Sequence, residues 1–286
     1  MVEINETLEA ARERNVRDAL AEDIGRGDWT ARLVPAGRSA SARVVAKEEA
    51  VLCGRPWFDA CVLALDASAR IDWGFDEGAA LEAGNVVCRI EAEARALLSA
   101  ERASLNFLQL LSGVATTTHD YVAAIAGVSP NPKGCVVLDT RKTLPGLRQA
   151  QKYAVRVGGG SNQRMALWDG ILIKENHIAA AGGVTAALRA AQALEAGVTI
   201  QIEVESLTEL EEALAAGATS VLLDDFTLAD MRLAFRINAG RAVLEVSGGV
   251  DLDSIRAIAA TGVDRISSGK LTKDVRAIDY SMRFMD

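Results

Sequence analysis

The stretch "IQIEVESLTELEEALAAGATSVLLDDF", residues 200–226, contains a complete structural unit. It opens with an apolar run that ends on acidic residues. Ser206 follows, with Glu209 three residues on, a capping-box spacing that starts a helix. An amphipathic segment then runs to a stop at Gly217, and a second apolar run, "SVLLDD" (220–225), ends on Asp224 and Asp225. Short, nearly unbroken apolar strands alternating with helices read as parallel strands buried on both faces. The same plan extends in both directions. Candidate strands are "CVVLD" (135–139), "YAVRV" (153–157), "ILIK" (171–174), "IQIEVE" (200–205), "SVLLDD" (220–225), "AVLEVS" (242–247) and "RISSG" (265–269). Between the later ones, "TLADMRLAFRINAG" stops at Gly240 and "DLDSIRAIAATG" at Gly262. Seven such strands predict a closed β/α barrel; an open doubly wound sheet is the alternative, because periodicity does not reveal strand order.

Residues 1–113 follow a different pattern. Strand-like alternation precedes a helical run, "ARALLSAERASLNFLQLLSG" (94–113), that reads as ending at Gly113. This predicts a separate α+β domain packed closely on a barrel domain at 114–275, since no Ser/Gly-rich linker intervenes. The chain has 286 residues, 50% hydrophobic and 24% charged, as expected of a globular enzyme or binding protein. No run of about 20 apolar residues suggests a membrane span, and the charged N-terminus has no signal-peptide core. Cys53, Cys61, Cys88 and Cys135 lie far apart, which fits a reducing cytoplasm better than zinc or disulfides. A net charge of −8 argues against nucleic acid, so any anionic ligand needs a local cationic pocket.

In such barrels chemistry sits at the C-terminal ends of the strands. Those ends carry Arg141 and Lys142, then Gly158–Gly160 with Arg164 beyond, then Lys174, Glu203 (with Glu205), Asp224 (with Asp225), Ser247-Gly248-Gly249 and Ser268-Gly269-Lys270. The cations suit carboxylates or phosphates; singly, each reads more simply as a solvated loop charge, and their recurrence at successive strand ends favours a site. Glu203 and Asp224 suit Mg²⁺ or sugar hydroxyls, or else pair with those cations. The Gly-containing loops before helices suit phosphate, although turns use glycine everywhere. His119 and His177, the only histidines, read as structural, and "EDIGRGDWT" (22–30) as a turn-rich surface segment. The physical reading is an enzyme for a phosphorylated sugar and a small polyanion, with Mg²⁺. A Schiff-base lyase using Lys174 and a non-catalytic binding protein of the same fold are the alternatives.

"LDTRKTLPGLRQAQKYAVRVGGGSNQR", "LIKENHI", "IEVES…LLDDF", "LEVSGGV" and "TGVDRISSGKLTK…AIDYSMRF", with the N-terminal "EDIGRGDWT" and "ERASLNFLQLLSGVAT", resemble the quinolinate phosphoribosyltransferase family over nearly the whole chain. The resemblance implies conversion of quinolinate and phosphoribosyl pyrophosphate (PRPP) to nicotinate mononucleotide, pyrophosphate and CO₂. It implies an N-terminal α/β sandwich, a seven-stranded barrel, and a tail (276–286) returning to the first domain. It also implies an obligate homodimer in which Arg102 reaches across to a quinolinate carboxylate. Thr140, Arg141, Lys142, Arg164 and Lys174 would form the cationic pocket, with Lys142 or Lys174 delivering the proton to C2. Glu203 and Asp224 would lie near the ribose and Mg²⁺, while Ser247, Gly248, Gly249, Ser268, Gly269 and Lys270 would hold the 5′-phosphate. Gln163 stands where many members have His, Asp225 where Asn is usual and Lys273 where some have His. A paralogue acting on a different pyridine acid remains compatible with these motifs.

Overall fold

The computed structural model describes residues 6–285, which form two compact units. The first comprises, among these, residues 6–119, 143–159 and 274–285. Its helix α1 (Leu8–Ile24) is capped by Thr7, whose hydroxyl accepts from Ala10 N–H. The sheet strands that follow are β1 (Ser39–Ala46), β2 (Ala50–Val51), β3 (Arg70–Trp73), β4 (Ala80–Leu81) and β5 (Val86–Glu93). Helix α2 (Arg55–Leu65) lies between β2 and β3 in sequence, and the long α3 (Ala94–Ile125) follows β5. Alternation on β1 buries Ala42, Val44 and Ala46 in a core with Val87, Ile90, Phe58, Val62, Leu97 and Leu108. The C-terminal strand Tyr280–Met285 pairs antiparallel with β1, from Ala46↔Tyr280 to Ser41↔Met285. The sheet of β3, β5, β1 and this terminal strand is therefore antiparallel, with helices for its cover, an α/β sandwich, while β2 and β4 pair separately.

Two sequence expectations change here. Helix α3 does not stop at Gly113 but continues to Ile125. A Cβ at 113 would lie 2.3 Å from the Arg276 carbonyl oxygen, so this glycine permits a backbone crossing instead of ending a helix. Residues 153–157, expected as a strand, belong to helix α4 (Arg148–Val157) in the first unit. Ala150, Ala154 and Val155 recur at helical spacing and are fully buried, and Tyr153 Oη donates to Glu77 Oε1 at 3.1 Å.

The second unit, residues 120–142 and 160–273, is a parallel sheet with helices. Its strands are β6 (Val136–Leu138), β7 (Gly170–Ile173), β8 (Thr199–Val204), β9 (Ser220–Leu223), β10 (Val243–Val246) and β11 (Arg265–Ser267). The helices are α5 (Glu175–Ala181), α6 (Val184–Ala193), α7 (Leu207–Ala215), α8 (Leu228–Asn238), α9 (Leu252–Ala259) and the short α10 (Lys270–Lys273); the terminal strand Tyr280–Met285 is β12. Strand order is β6-β11-β10-β9-β8-β7. The first strand thus pairs with the last, from Arg265↔Val136 to Ser267↔Leu138, which is the closure of a barrel and not the order of an open sheet. Six strands are regular. The seventh stave, after α4, is reduced to the bridge Leu138↔Ser161, where Ser161 N–H donates to Val137 O at 2.8 Å and Asp139 N–H to Ser161 O at 3.2 Å.

Ser206 caps α7 as expected, accepting from Glu209 N–H at 3.2 Å, while the Glu209 carboxylate turns to Glu205 N–H at 2.8 Å. Among the described residues no helix is long and apolar enough to cross a membrane.

Candidate active site

Because side chains alternate along a strand, every second residue of each stave faces the barrel interior, and those nearest the C-terminal ends reach the rim. Staves β6 and 160–164 bring Thr140, Arg141, Lys142, Gln163 and Arg164 to one cavity of about 380 Å³. Lys174 follows β7, Glu203 lies near the end of β8, and Asp224 follows β9. Ser247 and Gly248, which follow β10, line the cavity too. Leu172, Leu222, Glu245 and Ser267 line the same cavity and were not expected there.

The charges are distributed unevenly. Lys174 Nζ meets Glu203 Oε2 at 2.9 Å and Oε1 at 3.3 Å; the lysine is about half exposed, whereas the Glu203 side chain is 7% exposed. Backbone N–H of Lys174 donates to His177 Nδ1 at 3.0 Å, so His177 holds the turn that carries the lysine. The Arg164 guanidinium donates through NH1 to Gly170 O at 2.7 Å. Burial, and then the neighbouring Arg141 charge, lower the Arg164 pKa from its usual value. Two neighbouring guanidiniums have the planar donor geometry that suits an anionic group.

Asp139, fully buried, fastens the seventh stave: Asn162 Nδ2 donates to its Oδ2 at 2.5 Å and Gln163 N–H to its Oδ1 at 2.9 Å. Thr140 Oγ1 accepts from Lys142 N–H at 3.0 Å, and Lys142 O accepts from Thr272 Oγ1 at 2.8 Å. Gly269 touches this corner, since a Cβ there would stand 3.0 Å from Lys142 Cδ.

The expected phosphate loops divide. Gly248 and Gly249 take left-handed φ values of +91° and +60°, and a Cβ on Gly248 would approach Asp224 Oδ1 to 3.2 Å. Successive turns of this kind aim backbone N–H groups into a concavity suited to anions. By contrast, Ser268 is buried with its hydroxyl donated to Val250 O at 3.0 Å, and Lys270 Nζ pairs with Asp251 Oδ2 at 3.2 Å. Neither lines the cavity, nor do Gly249 and Gly269. Arg102 lies exposed on α3 in the first unit.

Glu203 and Asp224 offer hard oxygen donors at adjacent strand ends. Among the described residues no group of three or more His, Cys, Asp or Glu forms a metal cage. Two carboxylates are too few to hold Mg²⁺ alone but enough when substrate phosphates supply further oxygens. The donor set therefore fits Mg²⁺ carried by a phosphorylated substrate.

Residues 28–112 match the family description "Quinolinate phosphoribosyl transferase, N-terminal domain" and residues 114–283 the corresponding C-terminal domain. The chain is 40% identical over 285 residues to the nicotinate-nucleotide pyrophosphorylase [carboxylating] of Mycobacterium leprae, covering 96% of this chain and 97% of that protein. It is 40% identical over 262 residues to a probable enzyme of the same name from Bacillus subtilis, covering 91% of this chain and 89% of that one. Among solved structures, the nicotinate-nucleotide pyrophosphorylase of Francisella tularensis superimposes over 100% of both chains with a TM-score of 0.93 at 42% identity.

Proposed function

The chain belongs to the quinolinate phosphoribosyltransferase family, and from that premise we propose how its barrel rim carries out the family reaction. The enzyme transfers the phosphoribosyl group of PRPP to quinolinate with decarboxylation, giving nicotinate mononucleotide, pyrophosphate and CO₂ in NAD biosynthesis. The observation that carries the assignment of residues is convergence: Arg141, Lys142, Arg164 and Lys174 line one cavity with Glu203 and Asp224, in a chain of net charge −8.

Quinolinate is a dianion, and Arg141 with Arg164 grips its carboxylates. Thr140 adds a neutral polar contact, whereas both ends of the Gln163 amide are engaged within the protein. As the pyridine nitrogen attacks C1 of the ribose, the C1–O bond to pyrophosphate breaks and positive charge develops on the sugar. Glu203 and Asp224 stabilise that charge, while cations balance the departing pyrophosphate. Mg²⁺, when bound with the substrate phosphates, neutralises part of the leaving group's charge. Ser247 and Gly248 hold the 5′-phosphate by backbone N–H groups, with Gly249 shaping the turn and the Ser268-Gly269-Lys270 loop supporting the neighbouring corner.

The N-ribosylated ring is cationic, so it accepts the electron pair released when the C2 carboxylate leaves as CO₂, and C2 then takes a proton. Lys174 can give one only by leaving Glu203. Among the described residues Lys142 has no ion pair to break, and it is the proton donor to C2. Lys142→Ala is expected to lower single-turnover CO₂ release by about 10². Equal rates in Lys142→Ala and wild type would remove Lys142 from that role. A loss shown only by Lys174→Ala would transfer it.

Arg102 is exposed and unpaired among the described residues, which suits a homodimer in which each Arg102 completes its partner's site. Mixing inactive Arg102→Ala with inactive Lys142→Ala protein should regenerate activity if the sites are shared. The four free thiols suit a reducing cytoplasm.

A further inference from the structure

The barrel interior beneath the rim is polar where such interiors are ordinarily filled by branched apolar side chains. Glu245 on β10 is fully buried, and Gln201 on β8 is 5% exposed. Gln201 Nε2 donates to Glu245 Oε2 at 2.9 Å. Gln163 Nε2 donates to Gln201 Oε1 at 2.9 Å and reaches both Glu245 oxygens at 3.4 Å. The remaining Gln163 atom, Oε1, accepts from the backbone N–H of Arg164 at 2.6 Å.

These bonds have a direction. A carboxylate only accepts, whereas an amide has one accepting and one donating end. Glu245 therefore dictates that both glutamines turn their NH₂ groups inward. With its NH₂ so committed, Gln163 must present its oxygen outward, to Arg164 N–H. Reversing that amide would set NH₂ against N–H in a half-buried corner, at the cost of an unmade bond on each side.

We propose that Glu245 and Gln201 are positioning residues for Arg164, acting through Gln163. Glu245 sets the amide orientations, the orientation of Gln163 holds the Arg164 backbone, and the Arg164 guanidinium is thereby held at the carboxylate end of the cavity. The inference rests on the reading of Arg164 as a quinolinate ligand.

The test uses the full-length enzyme and separate KM values for quinolinate and PRPP. Glu245→Gln preserves shape but adds a donor where only acceptors stood. It is expected to raise the quinolinate KM about tenfold, with kcat and the PRPP KM changed less than threefold. The double exchange Glu245→Gln with Gln201→Glu moves the carboxylate to the neighbouring stave and restores its two amide donors. It is expected to return the quinolinate KM to within threefold of wild type. An unchanged quinolinate KM in Glu245→Gln, or equal rises in both KM values without rescue, overturns the proposal. If Glu245→Gln fails to fold, Gln163→Leu, which leaves the Glu245–Gln201 bond intact, carries the test with the same expected tenfold rise and the same overturning result. Arg164→Lys separates the two readings: if it leaves the quinolinate KM unchanged, the assignment of Arg164 fails; if it alone raises that KM, the positioning inference fails.

Discussion

Gly269→Ala perturbs the proposed proton donor without removing a charged group. The φ of Gly269 lies outside the left-handed region, so alanine is acceptable to the backbone. The added Cβ would stand 3.0 Å from Lys142 Cδ, 3.5 Å from Lys142 Cβ and 3.4 Å from Thr140 Oγ1. Ordinary carbon contacts lie at about 3.5–4.0 Å, so the lysine stem must move by roughly half an ångström. Because the stem is half of a flexible, exposed side chain, the folding cost is on the order of 1 kcal/mol or less. Catalysis is less forgiving: misplacing a reacting group by about 1 Å costs about 10², so half that displacement corresponds to about tenfold, or about 1.4 kcal/mol. Steady-state formation of nicotinate mononucleotide at saturating substrates should show kcat reduced about tenfold, with Tm within a few degrees of wild type. A kcat within twofold of wild type would refute the placement of Lys142, as would a kcat loss that merely follows loss of folded protein.

Gly248→Ala should weaken PRPP binding, because it combines left-handed strain of about 1–2 kcal/mol with a Cβ 3.2 Å from Asp224 Oδ1; PRPP KM measures it. Gly113→Ala and Gly158→Ala should lower stability by on the order of 3 kcal/mol, since each Cβ would stand 2.3 Å from a backbone carbonyl oxygen, and urea unfolding reads the loss. Asp28 has its pKa lowered by hydrogen bonds from Ala31 N–H and then from Ser99 Oγ. A depressed carboxylate contributes stability above its unfolded pKa of about 4 and loses it as pH falls through the folded value, so Asp28→Asn should show a shallower fall of Tm below about pH 4. Burial raises the thiol pKa of Cys61 and Cys135 to about 12 and raises those of Cys53 and Cys88 too. A disulfide reagent at pH 8 should therefore label the native protein slowly and all four thiols rapidly after denaturation.

The barrel was legible because parallel strands buried on both faces are written as continuous apolar runs, and the rim because polar residues end those runs. "YAVRV" was misleading: four apolar residues around one arginine match a short strand as well as the buried side of a helix, and the buried Ala150 that settles the matter lies three residues upstream. Gly113 carried a helix-stop signal, whereas its cause, the Arg276 carbonyl, is remote in sequence. Gln201 and Glu245 were visible as polar breaks inside apolar runs, at the same parity as Glu203 and Ser247. They carry no strand-end signal, and a polar layer below the rim is unusual in such barrels. Lys270 looked like a phosphate ligand by its Ser-Gly-Lys context, but no sequence pattern announced its pairing with Asp251.

The central claim is tested most directly by following PRPP-dependent release of CO₂ from quinolinate labelled at the C2 carboxylate, alongside turnover of nicotinate under the same conditions. The account requires CO₂, pyrophosphate and nicotinate mononucleotide in equal amounts from quinolinate, with nicotinate a poor substrate because it leaves one of the two guanidiniums unmatched. Mononucleotide formed from nicotinate as readily as from quinolinate, or formed without CO₂, would contradict it.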